Sequence, residues 1–108
     1  MGKLTIENQQ IEKFIADNLH RLLEIGAGRT MDFVEELKAI LIILDEKNIY
    51  KIEKQLNGSG VSIQIKVLMA DLCSAYAKDV LKQERLAGLL FAIKKGLETS
   101  LAFQLGWF

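Results

Sequence analysis

The chain has no proline, one cysteine, one histidine and no net charge, and each of these shortages excludes something. Without proline, only glycine, asparagine and clusters of charge remain to mark breaks between elements. A single cysteine, Cys73, cannot close an internal disulfide, so the covalent staple of many small secreted domains is missing and a reducing, cytoplasmic setting is expected. Lys plus Arg equal Asp plus Glu at 14 each, which leaves no net field to draw the protein onto nucleic acid or an anionic membrane. No long hydrophobic run occurs. The longest, Ala39 to Leu44, falls far short of the roughly 20 residues that span a bilayer, so no transmembrane segment is expected. The opening MGKLTIENQQ has no apolar stretch, and Ile6 stands where a myristoylation signal needs Ser or Thr, so neither secretion nor acylation is expected.

The scarcity of histidine and cysteine also bears on chemistry. Di-metal sites in helical bundles use repeated Glu-x-x-His pairs, and His20 with Glu24 supplies only the spacing of a solvated pair on a helix surface. No metal or cofactor is expected. Cys73 lies between Leu72 and Ser74 in a helical stretch, where a lone cysteine reads as a small packed hydrophobe. Adjacent acids at Glu35-Glu36 and Asp45-Glu46 point in different directions on a helix, and no catalytic residue is assigned.

What is present is amphipathic periodicity in a chain of 108 residues, enough for one domain over residues 1–108. Ile11, Ile15, Leu19, Leu22 and Gly26 recur at steps of three and four, predicting a helix that starts after Thr5. A break follows at Gly26-Ala27-Gly28-Arg29-Thr30, where Thr30 can cap the next helix. Val34, Leu37, Leu41 and Leu44 predict a second, long helix, resumed by Ile49, Ile52 and Leu56 after a kink or interruption near Asp45 to Asn48. Beyond Asn57-Gly58-Ser59-Gly60, the stripe Val61, Ile65, Leu68, Leu72, Ala75 and Tyr76 predicts a third helix. The alternation of Val61 to Val67 also fits a strand, which with Tyr50 to Glu53 would form a β-hairpin at about residues 50–67. The polar stretch Lys82-Gln83-Glu84-Arg85 marks a weaker break before a final helix carrying Leu86, Leu90, Ile93, Leu97 and Leu101. An all-α antiparallel four-helix bundle is the expected fold, with an α+β arrangement containing that hairpin as its alternative.

Two features point to function. Glycines before a helix N-terminus can aim backbone N–H groups at an anion, so Gly26, Gly28, Arg29 and Thr30 form a candidate site for phosphate, a carboxylate or a nucleotide. The loop lacks the P-loop lysine and follows a helix where the dinucleotide fingerprint follows a strand. Stronger is the apolar surplus. Ala39 to Leu44 covers the whole circumference of a helix, leaving Ile42 and Ile43 off the inward stripe, as Phe91 lies off the stripe of the last helix. Near the end, Phe103, Trp107 and Phe108 add three aromatics. Ile42, Ile43, Phe91, Phe103, Trp107 and Phe108 are therefore the candidate interface residues. The expected function is a non-enzymatic protein–protein interaction module, an adaptor, inhibitor or regulatory subunit, that forms homo-oligomers and binds a protein partner. The alternatives are an anion or nucleotide binder using Gly26 to Thr30, and an immunity-type protein at a membrane surface, suggested by size, helicity and the apolar end.

Overall fold

The computed structural model describes residues 2–26, 30–58, 60–104 and 106, with side chains described for these except 2–8, 25, 26 and 30–32. The described residues form six α-helices and one 3₁₀ turn, and no strand occurs among them. The helices are α1 (Gly2–Asp17), α2 (Leu19–Gly26), α3 (Thr30–Ile42), α4 (Ile49–Gly58), α5 (Ile63–Asp79) and α6 (Glu84–Gln104), with the 3₁₀ turn at Glu46–Asn48 between α3 and α4.

The all-α expectation holds, and the β-hairpin alternative at residues 50–67 does not form, because both of its arms are helical. The local reason is legible at Ser62, whose hydroxyl accepts from the Ile65 N–H at 3.4 Å and caps α5. The chain turns back between α4 and α5, where the Lys66 ammonium donates to the Asn57 carbonyl at 2.9 Å.

The first predicted helix is two helices. Asn18 interrupts it: its side-chain amide donates to the Phe14 carbonyl at 2.9 Å while its own N–H is shared between the Phe14 and Ile15 carbonyls. The interruption shifts the helical phase, so Ile11, Ile15 and Leu22 are buried but Leu19, on the same predicted stripe, is exposed. The predicted interruption of the second helix is present. Asp45 in extended conformation accepts from the Lys47 N–H at 3.1 Å, starting the 3₁₀ turn, and α4 follows directly. The break before the last helix also forms, without glycine: Lys82 takes a left-handed φ of 57°, and the Gln83 N–H bonds to the Ala77 carbonyl at 2.8 Å.

Helix α5 is the centre of the molecule. Ile65, Leu68, Met69, Ala70, Leu72, Cys73, Tyr76 and Ala77 are all buried and lie around more of its circumference than one stripe. Its most extensive pairing is the hairpin with α6, locked by the Ser74 hydroxyl donating to the Ala87 carbonyl at 2.9 Å. Helices α3 and α4 supply Phe33, Leu37, Ile40, Ile52 and Leu56 to the same core, and the Phe14 ring of α1 meets Tyr76 edge-on at 5.1 Å.

A left-handed conformation at a residue with a Cβ costs about 1 kcal/mol or more. Lys82→Gly should therefore raise the stability of the fold by roughly 0.5–1 kcal/mol, less than the full relief because glycine loses more entropy on folding. Chemical denaturation of both forms measures it, and a loss of stability would contradict the strained turn.

Candidate functional site

One polar cluster interrupts the apolar contacts of α5. Asp71, near its middle, accepts from the Arg21 guanidinium of α2 at 2.7 Å and from the Lys94 ammonium of α6 at 3.0 Å. Burial pushes the Asp71 carboxyl up, but hydrogen bonds from Arg21 and Lys94, together with their charges, outweigh it and hold the pKa below the ordinary value. Lys94 is raised in turn, first by the Asp71 hydrogen bond and then by the charges of Asp71 and Glu98, against the opposing effect of burial. The cluster ties three helices together.

Just beyond Lys94, the outer face of α6 presents Phe91. Its side chain is 46% exposed, with the ammonium groups of Lys94 and Lys95 at 5.3 and 5.2 Å from the ring centroid. Phe91 borders a groove of about 430 Å³ lined also by Ser74, Lys78, Glu84, Ala87 and Gly88. The groove has small residues along one side and charges of both signs, so it suits an apolar side chain entering beside polar neighbours.

Other apolar side chains reach the surface elsewhere. Ile42 is 56% exposed at the end of α3 and Leu23 is 58% exposed on α2, while Leu19, Tyr50 and Phe103 are exposed as well. Of the predicted interface residues, Ile42, Phe91 and Phe103 are thus at the surface, whereas Ile43 is half-buried against the core. Helix α3 ends at Ile42, and the Ile43 N–H bonds to the Ile40 carbonyl in a tightened last turn that carries Ile43 inward. Ile42 and the α6 aromatics stand on elements that share only α5 as a packing partner: α3 packs also on α1 and α2, and α6 also on α4 and the 3₁₀ turn. Trp107 and Phe108 lie outside the described residues, as do Gly28 and Arg29 of the predicted anion site. Gly26 closes α2 and Thr30 opens α3. Sequence reading missed Leu23 and the Asp71 cluster. The first is four residues after Leu19 on the surface of a short helix, a detectable spacing, but the second joins residues 50 and 23 positions apart, for which one sequence holds no signal.

The one cysteine and the one histidine stand in opposite environments. Cys73 is fully buried, and burial alone pushes its thiol up to about 12, while His20 is exposed on α2. Among the described residues, no group of three or more His, Cys, Asp or Glu side chains is arranged to hold a metal ion, and no helix is long and apolar enough to cross a membrane. One oxygen of the Glu36 carboxylate on α3 is buried without a hydrogen-bond partner among these residues. No family model matches the chain, and comparison with curated proteins and with solved structures finds no match in either.

Two outcomes follow from these pKa directions. A folded-state pKa below the unfolded value of about 3.9 means that ionised Asp71 stabilises the fold above that pH, an advantage lost as pH falls through the folded value. Asp71→Asn should cost about 1–2 kcal/mol at pH 7, between the values for exposed and buried ion pairs, and the difference from wild type should fade in acid. Denaturation from pH 7 down to pH 3 measures it. Cys73 has the opposite sign. With the folded pKa raised, its contribution is complete below the unfolded value of about 8.5 and declines as pH rises beyond it. In the native protein at pH 8 the thiol should resist a disulfide reagent that labels the denatured chain at once, and rapid native labelling would contradict its burial.

Proposed function

We propose that this chain is a non-enzymatic protein–protein interaction module that self-associates, working as an adaptor, inhibitor or regulatory subunit. One observation carries the reading: large apolar side chains, Leu23, Ile42 and Phe91 among them, remain exposed on a chain that has already buried a full core. Fully burying one such side chain is worth roughly 1.5–3 kcal/mol, so a few together outweigh part of the cost of association. In this reading α1 with α2, and α3 with α4, are the two bent rods of an antiparallel four-helix bundle completed by α5 and α6. The buried, reduced Cys73 suits a cytoplasmic setting.

Multi-angle light scattering at high micromolar concentration tests self-association. The expected mass is at least twice the 12.2 kDa of the chain, and a strictly monomeric protein would remove self-association from the proposal. Because Ile43 packs against the core and Ile42 does not, Ile42→Lys alone should leave the helical circular dichroism and thermal midpoint close to wild type, whereas Ile43→Lys should destabilise the fold by 1 kcal/mol or more, in the range of about 1–3 kcal/mol for burying an unpaired polar group.

A further inference from the structure

We infer that the outer face of α6 centred on Gly88 is a two-fold contact between two copies of this chain, with Phe91 of each copy seated in the groove beside Gly88 of the other. The inference rests on the self-association proposed above and gives it a surface.

Gly88 is exposed within the first half of a 21-residue helix, and a Cβ placed there would meet nothing within 4 Å. Inside a helix, glycine is about 1 kcal/mol less favourable than alanine, and no contact among the described residues requires it. The close approach of another backbone would. Ala92, one turn further on the same face, is also small and exposed. Beside them stands Phe91, which borders the groove of about 430 Å³. Each copy thus carries an apolar knob and a recess on one face, and a two-fold rotation is the operation that matches each knob to the other copy's recess. Lys78, on the recess rim, would then add a cation above or beside the incoming ring.

The charges fit the same arrangement. In an antiparallel α6 pair crossing at Gly88, position 84 of one helix is level with position 92 of the other. Lys95 lies one turn beyond and leans toward its own helix N-terminus, so it meets Glu84 of the second copy. Glu84, Gly88, Phe91, Ala92 and Lys95 are all exposed and share one side of α6. Glu84 forms no ion pair among the described residues, and Lys95 is held by Glu98 only at 3.6 Å. Lys94 is engaged by Asp71 and, like Lys95, stands over the Phe91 ring of its own copy, so it flanks the contact without pairing across it. With zero net charge, the two copies carry no overall repulsion.

The test uses the full chain in sedimentation velocity across a concentration series. Wild type should form dimers. Glu84→Lys places lysine against lysine and Lys95→Glu places glutamate against glutamate, so each variant alone should weaken the dimer at least tenfold. An equimolar mixture of the two restores opposite charges at both symmetric contacts and should recover dimers to within a few-fold of wild type. Gly88→Leu should abolish dimers while its circular dichroism stays helical, and its thermal midpoint below the wild-type dimer concentration should not fall. Assembly that ignores these substitutions, or a mixture that dimerises no better than either variant, overturns the α6 contact and leaves self-association standing on another face. A monomeric wild type overturns both.

Discussion

The covering of α5 is the constraint on which the remaining structure depends. A helix with eight buried residues spread around its axis is stable only when apolar surface meets it from several directions. The α6 hairpin supplies one side. Its inner residues Leu86, Leu90 and Leu97 are buried in that contact and its neighbours. The other sides are closed by shorter helices, and the Asp71 carboxylate sets how they sit. By accepting from Arg21 and Lys94 at once, it fixes the level of α2 and of α6 along α5. Hydrophobic contacts alone tolerate sliding, whereas two charge-assisted hydrogen bonds to one half-buried carboxylate do not.

The interruptions at Asn18 and Asp45 serve the same end. Asn18 turns its amide back onto the Phe14 carbonyl, and the new helix direction brings Leu22 to full burial while Arg21 reaches Asp71. Asp45 caps a 3₁₀ turn whose Glu46 receives the Arg85 guanidinium at 2.7 Å, attaching the start of α4 to the start of α6. A further ion pair, Lys38 with Glu12 at 2.7 Å, joins α3 to α1. The Glu12 hydrogen bond, with the charges of Glu12 and Glu35, raises the Lys38 pKa against the opposing effect of burial. That pair is exposed on its acidic side and contributes little compared with the apolar contacts beneath it.

Several of these features could be read directly from the residues, because their cause is local. The stripes Val34, Leu37, Leu41, Leu44 and Ile49, Ile52, Leu56 are buried as their spacing required, except that Ile49 is half-buried, and Asp45 marks the interruption between them. Phe91 and Ile42 stand off the inward stripes and are exposed for that reason. Ile43 and Leu19 depart from their stripes because helical periodicity holds only along an unbroken helix, and each residue adjoins a point where the helix ends, at Ile42 and at Asn18. The strand-like alternation of Val61 to Val67 was ambiguous as a pattern; the capping bond of Ser62 and the buried run that continues through Tyr76 decide it for helix. The Asp71 cluster had no local signature, since its partners come from distant parts of the chain.

The position of the exposed apolar groups also bears on which of them suits an interface. Association costs the ordering of whatever is loose, so a contact built on an anchored element begins with an advantage. Ile42 is the last residue of α3, directly before a turn, where helix ends fray most readily. Phe91 lies within α6, between buried Leu90 and the Lys94 held by Asp71, on a helix bound to α5 through most of the hairpin. The ammonium groups of two lysines stand over its ring. A side chain on a helix anchored in this way would lose less freedom in a contact than one at a fraying helix end.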